Sequence, residues 1–402
     1  MLDANAGQRS RGAAPPAHPH ASGPTPTHAF GSARSLRTRT KVLPEQARRH
    51  NRALVLQTLY HAGAMSRADV SRETGLTRVT VSDLVAEFIH DGIIAERGLR
   101  ESTGPGKPAT LIDIDRDGHQ IIGLDLSGPA RFEGAVMTLG GEVLYRLSAP
   151  RPAAIDGEAV HEAVLALARD LEAASTRPLL GVGIATPGVV RPDGVVLSAP
   201  NLGWVSHPLE SRLCAELGLP VMVRNDANAA VLAEYTFGQS TPDLMLVRIG
   251  RGVGAGVITG GEPLLGSRFA AGEIGHVVVG TDGGPRCVCG RDGCLEAWVN
   301  VPRLEGSIAA DPTGRERVLA DAGTRLAIGI APIVAALDLS EIVLVGPAAL
   351  LDGTFVDHAT DTLHARTLEG VFADVDIRRT RLDDIVLRGA AVIVLSAQLG
   401  VS

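Results

Sequence analysis

Three of the four cysteines fall within eight residues, as Cys287, Cys289 and Cys294 in the run Cys-Val-Cys-Gly-Arg-Asp-Gly-Cys-Leu-Glu, and His276 stands eleven positions upstream. Three thiolates and one imidazole complete a tetrahedral shell for Zn²⁺ and leave no position open for water. Such a shell constrains the fold strongly. It ties residues 276–294 into one knot and argues for a structural metal over a hydrolytic one. The flanking Glu273 and Glu296 are then aimed together into a cleft. The plain alternatives are chance clustering, or one disulfide with a free thiol; a Cys-x-Cys pair is too close for an easy mutual disulfide. Cys214 stands alone and is expected to be an inert buried thiol.

Length and charge set the next limits. At 402 residues the chain exceeds one ordinary core, so two or three domains are expected. Residues 1–110 hold 15 Lys+Arg against 9 Asp+Glu, a net of +6, whereas residues 111–402 hold 23 against 36, a net of −13. A basic front end on an acidic body predicts a polyanion-binding module joined to something else, although basic tails are often only solvated. No uninterrupted apolar run approaches bilayer-spanning length, so no membrane partner is expected. Residues 1–40 are rich in Pro, Ala, His, Gly, Ser and Arg; they predict a disordered tail without the apolar stretch of a signal peptide. With the clustered thiols, this places the chain in a reducing, cytoplasmic compartment. His18, His20 and His28 are weak metal candidates, more simply read as an accident of composition.

From Glu45 the pattern turns helical, with Leu54, Val55, Leu59 and Tyr60 at helical spacing up to Gly63. Ser66 is a good N-cap for a second helix ending at Gly75, and Asp69 at its third position completes a capping box. Thr77 caps a third helix that runs to about His90. Two short helices joined at Gly75-Leu76-Thr77 match a helix-turn-helix. Two strands follow, Ile93–Ala95 and Ala109–Ile112, around the basic loop Gly104-Pro105-Gly106-Lys107-Pro108, which makes a winged helix. Leu76, Val81, Leu84, Val85 and Phe88 form a buried stripe on the third helix. Arg78, Val79, Thr80, Ser82 and Asp83 then face outward. In such a motif the second helix enters the major groove. Arg78 suits a guanine edge or a phosphate, Thr80 and Ser82 suit phosphate or base edges, and Lys107 suits a minor-groove or backbone contact. A scaffold for protein contacts is the alternative; the basic balance and the wing favour double-stranded DNA. One module reads few base pairs, so a homodimer or homotetramer is expected from function.

From about Gly118 strands alternate with helices: Ile121–Leu126, Leu179–Ile184 and Val221–Val223, a helix Ala229–Phe237, then Leu244–Ile249 and later Ile342–Val345. This predicts an α/β body in two lobes. Polar groups gather at strand ends, where open α/β sheets place ligands. Asn225-Asp226 follows a buried strand, Pro200-Asn201-Leu202-Gly203-Trp204 is a turn with a free amide, and Glu273, His276 and Glu296 surround the cysteine knot. A polyol needs several carboxylates and amides, because each hydroxyl both donates and accepts. Asp226 also suits a general base toward a sugar hydroxyl. One by one, each of these residues is more simply a cap or a surface carboxylate.

The run Gly272-Glu273-Ile274-Gly275-His276, followed by Cys-x-Cys-Gly-x-x-Gly-Cys-Leu-Glu, resembles the signature of the ROK family (repressors, open reading frames, kinases). The front end is also similar to the winged helix of ROK repressors at Asn51-Arg52, Ser66-Arg67, Thr74-Gly75-Leu76-Thr77 and Thr80-Val81-Ser82. The resemblance spans nearly everything from residue 48 onward. It implies an N-terminal winged helix-turn-helix (41–115, after the tail 1–40) and a two-lobed, actin-like ATPase fold over 118–402. The first lobe would span about 118–235 and the second about 236–384, with a C-terminal helix near 385–400 returning to the first. It further implies sugar contacts from Asn201, Asn225, Asp226, Glu273, His276 and Glu296, and zinc ligation by His276, Cys287, Cys289 and Cys294. Asp226 aligns with the catalytic base of the kinase members.

Phosphoryl transfer depends on positioning and charge stabilisation, so a kinase needs intact phosphate loops. ROK kinases carry Asp-x-Gly-Gly-Thr-Lys after the first strand; this chain has Asp125-Leu126-Ser127-Gly128-Pro129-Ala130. Pro129 also lacks a backbone N–H. The second loop, Gly250–Gly256, keeps its glycines but carries Arg251 where kinases have a small hydroxyl residue. The adenosine-side loop reads Val345-Gly346-Pro347 in place of a run of glycines. The expectation is a sugar-responsive transcriptional repressor of carbohydrate genes that holds Zn²⁺, does not use ATP and is not an enzyme. An active sugar kinase with an appended DNA-binding domain is the runner-up, and a regulator controlled by a protein partner a third reading.

Overall fold

The structure is a computed structural model and describes residues 44–100, 108–238, 240–280 and 283–401. These residues belong to one compact unit, Pro44–Ser402. The tail 1–40 with its histidines, and the wing tip with Lys107, lie outside the described residues.

Local sequence chemistry accounts for the front end. Helix α1 (Pro44–Ala62) buries Val55, Leu56, Leu59 and Tyr60. After β1 (Met65–Ser66), α2 (Arg67–Thr74) begins with a reciprocal capping box: Asp69 N–H donates to Ser66 Oγ and Ser66 N–H to the Asp69 carboxylate, both at 3.2 Å. Gly75 ends α2 at φ 70°, a left-handed conformation that costs glycine little. Thr77 caps α3 (Arg78–His90) by accepting Thr80 N–H at 3.2 Å. Val81, Leu84, Val85 and Phe88 turn inward as the stripe predicts. Strands β2 (Ile94–Leu99) and β3 (Thr110–Ile114) join β1 in an antiparallel sheet of order β1-β3-β2. The arrangement is a helix-turn-helix followed by a two-stranded wing.

The body contains the same sheet plan twice. In the first lobe β4 (Gln120–Asp125), β5 (Arg131–Thr138) and β6 (Val143–Pro150) form an antiparallel meander. Helix α4 (Gly157–Ala174) leads to β7 (Leu179–Thr186), which lies parallel to β4. A small sheet of β8 (Val189–Val190), β9 (Val196–Ala199) and β10 (Trp204–His207) intervenes. Then α5 (Leu209–Leu217) leads to β11 (Val221–Asn225), parallel to β7. Helix α6 starts at Asp226, three residues before the expected Ala229, and runs to Phe237 because Asn225 caps it.

The second sheet opens with β12 (Leu244–Ile249), β13 (Val253–Thr259) and β14 (Glu262–Pro263), again an antiparallel meander. After α7 (Leu295–Val299), α8 (Val301–Ala310) and α9 (Arg315–Leu337), β15 (Glu341–Val345) pairs parallel to β12. Helices α10 (Ala348–Leu351) and α11 (Thr354–Arg366) precede β16 (Asp376–Arg379), parallel to β15, and α12 (Ile385–Leu399) closes the chain.

Helix α12 packs on β4, β7 and α6. The approach to α6 is so close that a Cβ on Gly389 would meet the Ala229 carbonyl oxygen at 2.0 Å. The front end is fastened to the body through α1. Tyr60 Oη donates to the Leu139 carbonyl at 2.8 Å, and Arg116 donates to the Tyr60 carbonyl at 2.8 Å.

One expectation is corrected. Cys214 is exposed, not buried: Leu209 and Leu213 take the inner face of α5 and leave Cys214 outside. The segment Pro312–Leu337 is long and apolar enough by length and composition to cross a membrane, but Asp321 and Arg325 interrupt its apolar run. In the fold its Leu319, Leu326, Ile330 and Val334 face the second lobe's core.

Candidate functional site: a cation knot beside an acidic cleft

His276 sits at the end of a short 3-10 turn, Ile274–His276, and Cys294 immediately precedes α7. Between them the loop folds back on itself: Cys287 N–H donates to the Arg291 carbonyl at 2.8 Å, and Gly290 N–H to the Cys287 carbonyl at 3.0 Å. This brings one donor atom each from His276, Cys287, Cys289 and Cys294 within 4.8 Å of one another. Cys287 Sγ lies 3.5 Å from His276 Nδ1, and Cys289 Sγ lies 3.6 Å from Cys294 Sγ. Zinc bonds of about 2.3 Å to sulfur and about 2.0 Å to nitrogen imply tetrahedral edges of about 3.5–3.8 Å, so the four donors fit one tetrahedral cation. Without a cation, burial and the neighbouring thiols raise the Cys294 pKa, a crowding that a divalent ion relieves.

The knot hands its order to Glu296. One carboxylate oxygen accepts Val253 N–H in the second glycine-rich loop at 3.1 Å, and the other lies 3.9 Å from Cys287 Sγ. Glu273 precedes the turn that carries His276. Desolvation raises its carboxyl pKa; His276 opposes the rise, and Asp226 and Glu296 add to it. Glu273 therefore lies within electrostatic reach of His276, Asp226 and Glu296.

Asn225 and Asp226 sit where β11 becomes α6. The Asn225 side-chain oxygen accepts Ala227 N–H at 2.9 Å and Asn228 N–H at 3.1 Å, and its Nδ2 donates to the Gly188 carbonyl at 2.9 Å. Its amide thus fixes the turn, and one N–H remains for a ligand. Asp226 Oδ1 accepts Ala227 N–H at 2.8 Å, and Oδ2 forms an ion pair with Arg248. Asn201 lies on the 3-10 turn Pro200–Leu202, exposed, with its carbonyl held by Arg151. Among the described residues, no hydrogen bond joins its side chain to the other five.

Arg248 is the residue that the sequence reading missed. It is the one charged residue of β12, and strands that line a core seldom carry an unpaired charge. Its NH1 pairs with Asp226 and its NH2 donates to Ser127 Oγ at 3.0 Å. Ser127 N–H in turn donates to Asp125 Oδ1 at 2.8 Å. Burial pushes the Asp125 carboxyl up, while Arg248 pulls it down. A lone arginine in an apolar strand just before a glycine-rich loop was the available signal.

At the front end Arg78, Ser82 and Asp83 are exposed on α3, and Val79 is 71% exposed. Thr80 is half-buried with its hydroxyl 2.9 Å from that of Thr77, so the cap partly occupies it.

Comparison with known proteins gives a consistent picture. Residues 121–397 match the sequence pattern of the ROK family. The chain is 28% identical over 386 residues to the xylose repressor of Caldicellulosiruptor bescii, covering 87% of this chain and 96% of that one. A solved ROK family transcriptional regulator, a homolog of the E. coli MLC protein, superposes with a TM-score of 0.78 at 24% identity, over 88% of this chain and 97% of that one. The ROK hexokinase from Thermus thermophilus gives a TM-score of 0.58 at 30% identity, over 68% of this chain and 97% of that one.

Proposed function

The chain belongs to the ROK family, and on that premise we propose that it is a sugar-responsive, DNA-binding transcriptional repressor of carbohydrate genes, released from its operator by a sugar. The observation that carries the reading is one compact unit in which a capped helix-turn-helix is fastened to a body that gathers Asp226, Glu273, His276 and Glu296. Residues 41–115 act as the DNA-binding domain and 118–402 as the sugar receptor. Arg78, Thr80 and Ser82 on α3, with Lys107 in the wing, face DNA. Asp226, Glu273, His276 and Glu296 receive the sugar hydroxyls, with Asn201 and Asn225 at the rim. Zn²⁺ on His276, Cys287, Cys289 and Cys294 is structural. It leaves the second imidazole nitrogen free for the ligand and holds Glu296 in place. Two or four copies act together in the cytoplasm, because two half-sites give specific affinity.

ATP is not used in this reading. Pro129 and Ala130 supply neither the hydroxyl nor the ammonium of the first phosphate loop, and Asp226 is engaged by Arg248. Asp226 and the glycines of the second loop favour the kinase alternative. An ATP-consumption assay across a sugar panel separates the two: turnover on the order of 1 s⁻¹ or more would establish a kinase. The regulator reading is tested by a thermal-shift screen of neutral, amino and phosphorylated sugars, coupled to a gel shift on the chain's own upstream DNA at fixed salt. A sugar that raises the melting temperature and releases the DNA is the expected result. Arg78→Ala is expected to weaken the wild-type complex by about 1–3 kcal/mol; equal affinity would remove Arg78 from the DNA-facing set.

A further inference from the structure

Arg248 stands on β12 of the second sheet, yet both of its partners belong to the first lobe. Ser127 lies in the loop after β4, and Asp226 opens α6 after β11. The guanidinium therefore crosses the cleft at the place where three elements end: the degenerate first phosphate loop, the residue aligned with the kinase base, and the strand leading into the glycine-rich loop at Gly250. Arginine suits this task because its planar fork offers separate N–H groups to two acceptors at once. Its side chain keeps 24% exposure and that of Asp226 14%, so the pair is largely withdrawn from solvent while open to the cleft.

We propose that Arg248 is a positioning residue of the receptor cleft: it ties the two lobes together and holds Asp226 in one orientation, as a hydrogen-bond acceptor for a sugar hydroxyl. This rests on the sugar-receptor reading for its ligand half, and on geometry alone for its lobe-tying half. A base that must take a proton needs a free carboxylate oxygen beside the substrate hydroxyl. Asp226 gives one oxygen to the guanidinium and the other to the amide of Ala227. Each oxygen keeps a lone pair for accepting a hydrogen bond. The guanidinium fills the space beside the oxygen it pairs with, where a substrate hydroxyl would otherwise approach. The same contacts preset the lobes, so a sugar binds between walls already in register.

The test compares full-length, zinc-loaded wild type with Arg248→Met, Arg248→Lys and Ser127→Ala. Hydrogen exchange is read at the amides of Ser127, Gly128, Ala130, Arg131 and 250–253, and affinity is read for D-xylose, D-glucose and N-acetyl-D-glucosamine. Arg248→Met is expected to raise exchange in both loops at least tenfold and to weaken whichever of these sugars binds wild type at least tenfold. Arg248→Lys restores sugar affinity to within about threefold, because it keeps a cation beside Asp226. It leaves exchange raised, because one ammonium does not span both partners as the fork does. Ser127→Ala raises exchange in the same loops while Asp226 stays paired, and it serves as the deciding variant if Arg248→Met does not fold. Wild-type exchange in a folded Arg248→Met, or in Ser127→Ala when Arg248→Met fails to fold, overturns the lobe tie. Wild-type sugar affinity in Arg248→Met overturns the positioning of Asp226. If none of the three sugars binds wild type, the choice of sugar falls, and the exchange arm decides the role of Arg248 by itself.

Discussion

Cys289 is exposed whereas Cys287 and Cys294 are buried, so among the proposed metal ligands it is the one that can be changed with least damage to packing. Serine offers no thiolate, and even outer-shell substitutions cost metal sites about 10–100-fold in affinity. Cys289→Ser is expected to weaken zinc retention by at least tenfold in competition with a chromogenic chelator. It also loosens Glu296, which the knot sets against Val253. Metal retention equal to wild type would remove Cys289 from the ligand set. The knot was legible in the sequence because its three thiols are near neighbours, and only His276 had to be found at a distance. Arg248 was legible only as a lone charge in an apolar strand; its partners, 22 and 121 positions away, were not. Cys214 was misjudged for a related reason: which face of a short helix turns inward depends on what packs there, and Leu213 beside it took the inner place.

At the scale of elements, helix ends were read most securely. Ser66, Asp69, Gly75 and Thr77 act through contacts no more than three residues apart, and sequence spacing contains that information directly. Ser66→Ala removes one half of the capping box and is expected to cost about 1 kcal/mol, seen as about fivefold faster exchange of the α2 amides. Acid acts on the same box. The Ser66 hydroxyl, with Arg100 reinforcing it and burial opposing, holds the Asp69 carboxyl down at about 2. Its contribution is therefore present above the unfolded value near 4 and is lost as pH falls toward 2. Amide exchange in α2 that rises between pH 4 and pH 2 in wild type, and less in Asp69→Asn, is the expected result. Elsewhere an element's contacts depend on a distant partner. Gly389→Ala drives a methyl into the Ala229 carbonyl and is expected to cost about 1–3 kcal/mol, read as a lower urea midpoint.

Across the whole molecule, the proposed sugar site and the helix proposed to face DNA are linked through packed elements. Asp226 opens α6, α6 packs on α12, and α12 contacts α1 of the front end. If sugar weakens DNA binding by some factor, DNA must weaken sugar binding by the same factor. The expected coupling is about 1–3 kcal/mol, or roughly 5–150-fold, measured as sugar affinity with and without operator at fixed salt. Equal sugar affinity in the two conditions would sever effector from operator.

The sequence by itself determined the helix caps, the strand–helix alternation of the α/β body, and the clustering of His276, Cys287, Cys289 and Cys294. Each of these depends on residue type at short spacing, where chain geometry leaves few choices. Only the tertiary structure decided which charges meet across the cleft. It placed Arg248 between Ser127 and Asp226, committed Asn225 to a cap, and held the Asn201 carbonyl with Arg151. Such pairings depend on how two sheets and three loops converge in space, and residue spacing along the chain does not encode that convergence.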